Sequence, residues 1–117
     1  LNYFGVLTVE MFLTKNNTIL INEIAPRVHN SGHWTIDSCI TSQFEQHIRA
    51  ICNLPLGSSK RHSDALMTNI IGDEIKNIER IFNQPNTKIY LYGKKISSSG
   101  RKMGHYTKII PKIDKLV

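Results

Sequence analysis

Residues 5–26 read GVLTVEMFLTKNNTILINEIAP, and this stretch decides the fold of the first half of the chain. Leucine, valine and methionine recur at every second position up to Leu13, and a run rich in isoleucine follows at residues 19–24. Both patterns are typical of β-strands, and Asn tolerates the positive φ that a tight turn requires. We therefore predict an antiparallel hairpin with a two-residue turn at Asn16-Asn17, ended by Pro26.

The predicted register brings two acidic residues together. A turn centred on Asn16-Asn17 places Leu13 opposite Leu20 and Glu10 opposite Glu23. Directly opposed Cβ atoms lie about 4.5–5.5 Å apart, where two carboxylates repel unless they share a proton or hold a cation. Two carboxylates suit Mg²⁺ that also binds nucleotide phosphates. Two alternatives remain, namely an exposed pair relaxed by solvent and a three-residue loop that shifts the register by one.

Residues 27–34 form a polar loop after the second strand and carry His29, Asn30 and His33. A loop that directly follows a strand with a candidate metal ligand is a natural position for substrate contacts. The two histidines could also bind zinc, although no Cys or third clear ligand lies nearby. Alternatively, these histidines only form hydrogen bonds with their surroundings.

A helix is predicted over residues 42–52. Ser42-x-x-Glu45 matches a capping box, and apolar residues follow at helical spacing until Asn53 and Pro55 end the pattern. Residues 56–63 are polar, contain Gly and Ser, and coincide with a change in charge. We therefore divide the chain into residues 1–58 and residues 59–117.

The second half reads as a small domain that is mostly β. Residues 65–71 and 88–92 are predicted strands, and residues 75–82 are a short helix or an irregular segment. Residues 96–100, which read ISSSG, predict a flexible turn on a hairpin. Together with the hairpin and helix of the first half, these elements predict an α+β fold.

The positive charge of the chain lies in its second half. Residues 1–58 carry three basic and four acidic side chains, whereas residues 59–117 carry twelve basic and five acidic ones. This excess implies an anionic partner, such as a phosphate, a nucleic acid or an acidic surface. Four basic residues flank one loop and could bind a phosphate: Lys94, Lys95, Arg101 and Lys102. A solvated basic turn is the alternative.

Length and composition favour part of a globular protein over a membrane-spanning or secreted one. The 117 residues suffice for one small domain or parts of two, and a start at Leu1 within strand-like sequence indicates a fragment of a longer chain. No apolar run approaches the roughly 20 residues of a membrane span, and no secretory leader opens the chain. Cys39 and Cys52 lack metal-type spacing, and two thiols in a reducing cytosol are favoured over one disulfide. The phosphate-binding motifs GxxxxGK[ST] and GxGxxG are absent.

Two long motifs make the chain resemble a known family. Residues 21–35 read INEIAPRVHNSGHWT, and residues 41–47 read TSQFEQH. Shorter motifs are GVLTVEMF at residues 5–12, LPLG at 54–57, MTNIIG at 67–72 and GRKMGH at 100–105. Taken in their order along the chain, these motifs resemble the C-terminal portion of the 5-(carboxyamino)imidazole ribonucleotide synthases, ATP-grasp enzymes of bacterial and fungal purine biosynthesis. One departure is KKISSSG at residues 94–100, where the family more often has a Pro before the Gly and a shorter turn.

The resemblance implies both a fold and a reaction. Residues 1–58 would be the C-terminal part of an ATP-grasp domain, and the rest of the nucleotide site would lie upstream. ATP would phosphorylate bicarbonate to carboxyphosphate, which carboxylates the exocyclic amine of aminoimidazole ribonucleotide directly or through CO₂. The resemblance further implies a cytoplasmic homodimer without a nucleic-acid or membrane partner, and a fragment that is inactive alone.

The resemblance also assigns roles to residues. Glu10 and Glu23 match the two carboxylates that hold Mg²⁺, or Mn²⁺ in its place, against the ATP phosphates. Three loop residues match positions around bicarbonate and carboxyphosphate and are the expected catalytic residues: Arg27, His29 and Asn30. Three basic residues match the site for the 5′-phosphate of the ribonucleotide: Lys94, Arg101 and Lys102.

Two other functions are compatible with parts of the sequence. Another ATP-grasp ligase, such as a formate-using or glycinamide purine enzyme or a biotin carboxylase, would share the paired acids but not the PRxHNSGHW run. A basic nucleic-acid-binding module would need exposed aromatic residues interleaved with Lys and Arg. The candidates for that role are Tyr90, Tyr92 and Tyr106.

Overall fold

The computed structural model describes residues 2–113, which divide into one compact unit up to Lys60 and a second from Arg61 onward. The first unit contains strands β1 (Thr8–Leu13) and β2 (Ile19–Ala25), a 3₁₀ turn (Asn30–Gly32), and helices α1 (Thr35–Ser38) and α2 (Gln43–Ile51). The second unit contains β3 (Asp64–Ile71), a 3₁₀ segment (Gly72–Asn77), α3 (Glu79–Phe82), β4 (Thr87–Leu91) and β5 (Lys102–Ile110). This combination of helices and antiparallel sheets confirms the predicted α+β class.

β1 and β2 form the predicted antiparallel hairpin, but its turn has three residues instead of two. A backbone hydrogen bond of 2.9 Å from the N–H of Thr14 to the carbonyl of Thr18 closes the turn, and Asn17 within it has a φ of 59°. A three-residue turn typically ends with a residue in this left-handed conformation, which Asn tolerates. Leu13 therefore pairs with Ile19, and the predicted pairing of Leu13 with Leu20 is wrong.

A β-bulge at Asn22 restores the predicted register around the two acids. Glu10 lies opposite Glu23, whereas Met11 lies opposite Ile21, so Asn22 is the extra residue of β2. A bulge inserts one unpaired residue and changes the direction of the side chains around it. The predicted pairing of the two acids is therefore confirmed, although the turn that was expected to produce it is wrong.

The helices of the first unit agree with the sequence only in part. The Oγ of Ser42 accepts a hydrogen bond from the N–H of Glu45 at 3.2 Å, and α2 ends at Ile51, as the capping pattern predicts. The four-residue helix α1 is not predicted by the sequence pattern. None of the helices among residues 2–113 has the length and apolar character needed to cross a bilayer.

Most buried side chains of the first unit lie where α1 leads into α2. They are small or polar: Ser38, Cys39, Thr41 and Gln43. Cys39 and Cys52 are not joined by a disulfide, in agreement with the expected thiols. Because hydrogen-bonding side chains fill this core, the loop before α1 is held mainly by polar contacts, which matters for the candidate site.

The second unit is a three-stranded antiparallel sheet in the order β3-β5-β4. Its most buried side chains lie on the central strand and its neighbour: Ile70, Met103, His105 and Thr107. The ring of Tyr90 stacks on that of His105 at 4.8 Å, and the hydroxyl of Tyr92 lies 2.8 Å from Nδ1 of His105. Two of the three aromatic residues of the nucleic-acid hypothesis therefore pack against this buried ring.

Both faces of the β1–β2 hairpin are apolar and exposed. The opposed pair Phe12 and Leu20 is 57% and 52% exposed, and the neighbouring pair Leu13 and Ile19 is 70% and 63% exposed. Scattered apolar residues on a surface are ordinary, but a contiguous apolar surface is typical of a region that contacts other protein. The described residues of the first unit leave this surface uncovered.

Candidate functional site

Three side chains that the sequence marks as candidates meet beside the hairpin. They are Glu10 from β1, Glu23 from β2 and His29 from the loop that follows β2. One ligand atom from each lies within 4.8 Å of those of the other two. Over residues 2–113, no other group of three or more His, Cys, Asp or Glu side chains has this spacing.

The carboxylate of Glu10 is approached from two sides. Nδ2 of Asn22 donates a hydrogen bond to its Oε1 at 2.7 Å, and Nε2 of His29 lies 3.8 Å from its Oε2. The sequence pattern does not mark Asn22 as a site residue. Regular strand pairing without a bulge would place it opposite Met11, on the other face of the hairpin. The bulge changes that placement, so a residue next to a predicted ligand becomes a partner of that site.

The hydrogen bonds of His29 determine which ring nitrogen carries its proton. Nδ1 accepts from the backbone N–H of Ser31 at 3.3 Å and lies 2.8 Å from Oγ of Ser31. A backbone N–H can only donate, so this network assigns Nδ1 as the unprotonated nitrogen and places the hydrogen of the neutral ring on Nε2. In this tautomer the Nε2 of His29 that lies near Glu10 carries a hydrogen and can donate to an anion.

The two carboxylates fit a divalent cation that prefers oxygen ligands, as Mg²⁺ and Mn²⁺ do. The zinc hypothesis is not supported, because His33 lies outside the cluster and its Nδ1 is 2.8 Å from Nε2 of Gln43. The site thus combines two acids that suit a hard cation with an imidazole whose Nε2 lies 3.8 Å from the carboxylate of Glu10.

The other two predicted catalytic residues lie in the same loop as His29. Arg27 is exposed, and its Nη1 donates to the carbonyl of Val28 at 3.1 Å. Asn30 is half-buried and begins the 3₁₀ turn, which the side chain of His29 caps. Their roles stay predictions, and the fold places both within one residue or two of His29.

Two of the three predicted phosphate-binding residues, Lys94 and Arg101, lie in the connection between β4 and β5, and the third, Lys102, is the first residue of β5. All three are exposed. Nζ of Lys94 donates to the carbonyl of Lys102 at 2.7 Å and lies 5.7 Å from the ring centre of Tyr92. Nη1 of Arg101 donates to the carbonyl of Ile96 at 3.3 Å. The fold brings the three residues to this connection and the first position of β5, and the bond from Lys94 to Lys102 joins the two ends of the connection.

This basic loop, residues 92–101, is tied to the 3₁₀ segment that follows β3. Oγ of Ser97 donates to Oδ1 of Asp73 at 2.6 Å, and the N–H of Gly72 donates to the carbonyl of Arg101 at 2.8 Å. Gly72 has a φ of 53°, and a Cβ there would lie 2.9 Å from the carbonyl oxygen of Ser98. The close approach of the loop therefore requires glycine at this position.

The bond between Ser97 and Asp73 should be visible in the titration of Asp73. The Ser97 hydroxyl, followed by Lys76, lowers the pKa of this carboxyl from its ordinary value of 3.8, because both stabilise the charged form. Ser97→Ala should raise the pKa of Asp73 toward that value, and Ser99→Ala, which leaves the bond in place, should not. Carboxyl ¹³C NMR across acidic pH measures both variants, and an unchanged pKa in Ser97→Ala would contradict the contact.

Comparisons with known proteins identify similar domains and relatives for both halves of the chain. The profile of the ATP-grasp domain matches residues 1–44, and that of the phosphoribosylaminoimidazole carboxylase C-terminal domain matches residues 65–117. The N5-carboxyaminoimidazole ribonucleotide synthase of Brucella melitensis is 55% identical over 112 residues, which cover 96% of this chain and 31% of that protein. The chain thus spans about a third of the length of this relative.

Solved structures give the same result at the level of the fold. A carboxyaminoimidazole ribonucleotide synthase from Aspergillus clavatus complexed with ATP is 43% identical with a TM-score of 0.87, over 92% of this chain and 30% of that one. The Aspergillus clavatus enzyme in complex with ADP and 5-aminoimidazole ribonucleotide has a TM-score of 0.84, over 92% of this chain and 31% of that one. The chain is therefore similar to the C-terminal portion of the N5-carboxyaminoimidazole ribonucleotide synthases.

Proposed function

We propose that the protein containing this segment is an ATP-grasp carbon–nitrogen ligase that carboxylates 5-aminoimidazole ribonucleotide. The observation that carries the proposal is the opposed pair Glu10 and Glu23, with the imidazole N–H of His29 directed toward it. The relatives support it, because the Aspergillus clavatus structures contain ATP in one case and ADP with the ribonucleotide in another.

The proposed reaction has two transfers. A bicarbonate oxygen attacks the γ-phosphorus of ATP, the bond to the bridging oxygen breaks, and ADP leaves to yield carboxyphosphate. The exocyclic amine of the ribonucleotide then attacks the carboxyl carbon of carboxyphosphate, which expels phosphate, or the carbon of CO₂ that carboxyphosphate has released together with phosphate. In both cases the amine loses a proton. Because every participant is anionic, catalysis depends on neutralising these charges and on positioning the reacting groups.

The cluster suits the first transfer. Glu10 and Glu23 would hold Mg²⁺, or Mn²⁺, and the cation when bound neutralises charge on the ATP phosphates. His29 presents a fixed N–H donor beside these acids, and such a donor stabilises the oxygens of bicarbonate and carboxyphosphate. Arg27 and Asn30 add a cation and an amide from the same loop for the same anions.

The basic loop suits the ribonucleotide. Arg101 can form two parallel hydrogen bonds to a 5′-phosphate, and Lys102 adds a point charge beside it. Lys94 contributes a third positive charge and orders the loop through its bond to the carbonyl of Lys102. This assignment explains the concentration of basic residues that the sequence shows in the second half.

Assembly and location follow from the family. As the resemblance implies, the proposed enzyme acts as a homodimer. Two of its substrates, ATP and the ribonucleotide, are phosphorylated metabolites that do not cross membranes unaided, so we place the proposed reaction in the cytoplasm. Neither a nucleic acid nor a membrane takes part in it.

Omission of each substrate in turn tests the proposed function. The full-length enzyme should form ADP rapidly only when 5-aminoimidazole ribonucleotide, bicarbonate and Mg²⁺ are all present, and formate should not replace bicarbonate. ADP formation that proceeds equally fast without the ribonucleotide or with formate would assign the segment to another ATP-grasp ligase.

Arg101→Ala should raise the KM for the ribonucleotide and leave the KM for ATP nearly unchanged. A contact with the 5′-phosphate exists in both the ground state and the transition state, so its loss appears mainly in KM. Each charge-assisted hydrogen bond contributes roughly 1.5–3 kcal/mol, or about ten- to more than a hundredfold in affinity. Arg101→Lys should recover only part of the loss, because Lys lacks the bidentate geometry.

Lys108→Ala is the matched control for this experiment, since Lys108 is an exposed basic residue of β5, the strand that directly follows Arg101, and lies outside the basic loop. It should leave both KM values near those of the wild type. A rise in the KM for ATP in Arg101→Ala would place the basic loop in the nucleotide site instead. If both variants raised the KM for the ribonucleotide equally, the basic loop would attract the substrate only through its overall charge and would not bind the 5′-phosphate.

A further inference from the structure

Gln43, the first residue of α2, contacts the backbone of His29 from both sides. Its Oε1 accepts a hydrogen bond from the His29 N–H at 3.0 Å, and its Nε2 donates one to the His29 carbonyl at 2.7 Å. Gln43 is buried and lies fourteen positions from His29 along the chain. The two bonds therefore connect a rigid helix to one residue of the candidate site.

The orientation of the Gln43 amide is determined by its partners. The His29 N–H can only donate and the His29 carbonyl can only accept, so a reversed amide would lose both bonds. Nε2 also lies 2.8 Å from Nδ1 of His33, which can accept its second hydrogen. Both amide hydrogens and the amide oxygen are thus in use, which leaves the side chain one favourable position.

The support behind Gln43 is polar and tight. The Gln43 N–H donates to Oγ1 of Thr35 at 2.9 Å, and that hydroxyl donates to the carbonyl of Gly32 at 2.6 Å. A Cβ on Gly32 would lie 2.5 Å from Oε1 of Gln43, closer than any real contact. Glycine at position 32 is therefore required for the amide to reach His29.

We propose that Gln43 is a positioning residue, which holds the His29 backbone so that the imidazole N–H stays directed toward Glu10. The inference rests on the proposed function, because His29 matters there as a donor to the transferred anion. Both bonds from the Gln43 amide go to the His29 backbone, so Gln43 acts on the site through the position of that backbone. A small displacement of a catalytic group can cost about a hundredfold in rate, so the position of this backbone should control kcat.

The same helix offers a matched control. Gln46, three residues further along α2, makes the same pair of bonds with the backbone of Gly57: Nε2 donates to the carbonyl at 2.5 Å and Oε1 accepts from the N–H at 3.0 Å. Gly57 belongs to no proposed site. Gln43→Met and Gln46→Met therefore delete equivalent interactions with similar side-chain volume, one at the site and one away from it.

The experiment compares both variants in the full-length enzyme. Gln43→Met should lower kcat about tenfold to a hundredfold and leave the KM for the ribonucleotide near wild type, whereas Gln46→Met should keep kcat within about twofold. The imidazole ¹⁵N NMR signals of His29 should shift in Gln43→Met and stay in place in Gln46→Met. Equal losses of kcat, or unchanged His29 signals in Gln43→Met, would overturn the positioning role.

Gly32→Ala provides a second route if Gln43→Met does not fold. Its methyl group displaces the Gln43 amide while all hydrogen-bonding groups remain present, so kcat should fall and the His29 signals should shift in the same direction. Wild-type kcat and unchanged His29 signals in Gly32→Ala would contradict the proposal. If the wild-type enzyme has no carboxylating activity, the proposed function fails, while the His29 signals still test the role of Gln43.

Discussion

Glu10→Gln and Glu23→Gln should each lower the kcat of the full-length enzyme by about a hundredfold or more, or roughly 3 kcal/mol of transition-state stabilisation. Each change removes one negatively charged oxygen ligand from the opposed pair, at the point where charge accumulates on the transferred phosphoryl group. The required Mg²⁺ concentration should rise as well, because a neutral amide binds a hard cation more weakly than a carboxylate does.

Glu45→Gln is the control for these two variants. Glu45 is an exposed acid of the same unit that pairs with Arg49 at 2.8 Å, outside the cluster. An exposed pair of this kind contributes little to stability, so its loss should leave kcat and the Mg²⁺ requirement nearly unchanged. If both cluster variants keep near-normal activity at limiting Mg²⁺, the two acids of the hairpin are structural and hold no cation.

The isolated 117-residue segment should show no ATPase activity that depends on 5-aminoimidazole ribonucleotide. It spans 31% of the Brucella melitensis relative, and both faces of its hairpin expose apolar side chains such as Phe12 and Leu13. In the proposed mechanism the two acids would hold a cation, but they cannot by themselves position ATP for transfer. Assay of the purified segment against a mock-purified control checks this, and ribonucleotide-dependent turnover above that control would mean that the catalytic residues are misplaced.

The hairpin shows what the sequence can predict about this fold and where such prediction ends. Strand periodicity is local, so both strands and the opposed acids are predictable from residues 5–26. The turn length cannot be predicted in this way, because it depends on whether Asn16 or Asn17 adopts a positive φ. In the structure Asn17 is the one of these two that does. The register at Glu10 and Glu23 agrees with the prediction since the bulge at Asn22 compensates for the longer turn.

The candidate site divides in the same way. Glu10, Glu23 and His29 are predictable because one strand pair and the loop directly after it carry them all. The contacts of Asn22 and Gln43 are not, because they join residues twelve and fourteen positions apart whose side-chain directions depend on the bulge and on the start of α2. The polar residues that hold a site in place thus have weaker sequence signals than the residues that perform its chemistry.

The basic loop differs from its sequence prediction in its attachments. Residues 96–100 read as a flexible turn, but Ser97 is bonded to Asp73 and Gly72 is bonded to Arg101. These partners lie about 25 to 30 positions away, so no local pattern reveals them. The grouping of Lys94, Arg101 and Lys102 follows from hairpin topology alone and was therefore predictable.

Transfer of carbon from bicarbonate to the ribonucleotide amine is the most direct test of the proposed function. The full-length enzyme, incubated with ATP, Mg²⁺, ¹³C-bicarbonate and 5-aminoimidazole ribonucleotide, should produce a ¹³C carbamate signal in equal amount to the ADP formed. Glu10→Gln should abolish the signal and the ADP together. ADP formation without a labelled carbamate, or a carbamate that forms equally fast without ATP, would contradict the assignment of this segment to the carboxylating ligase.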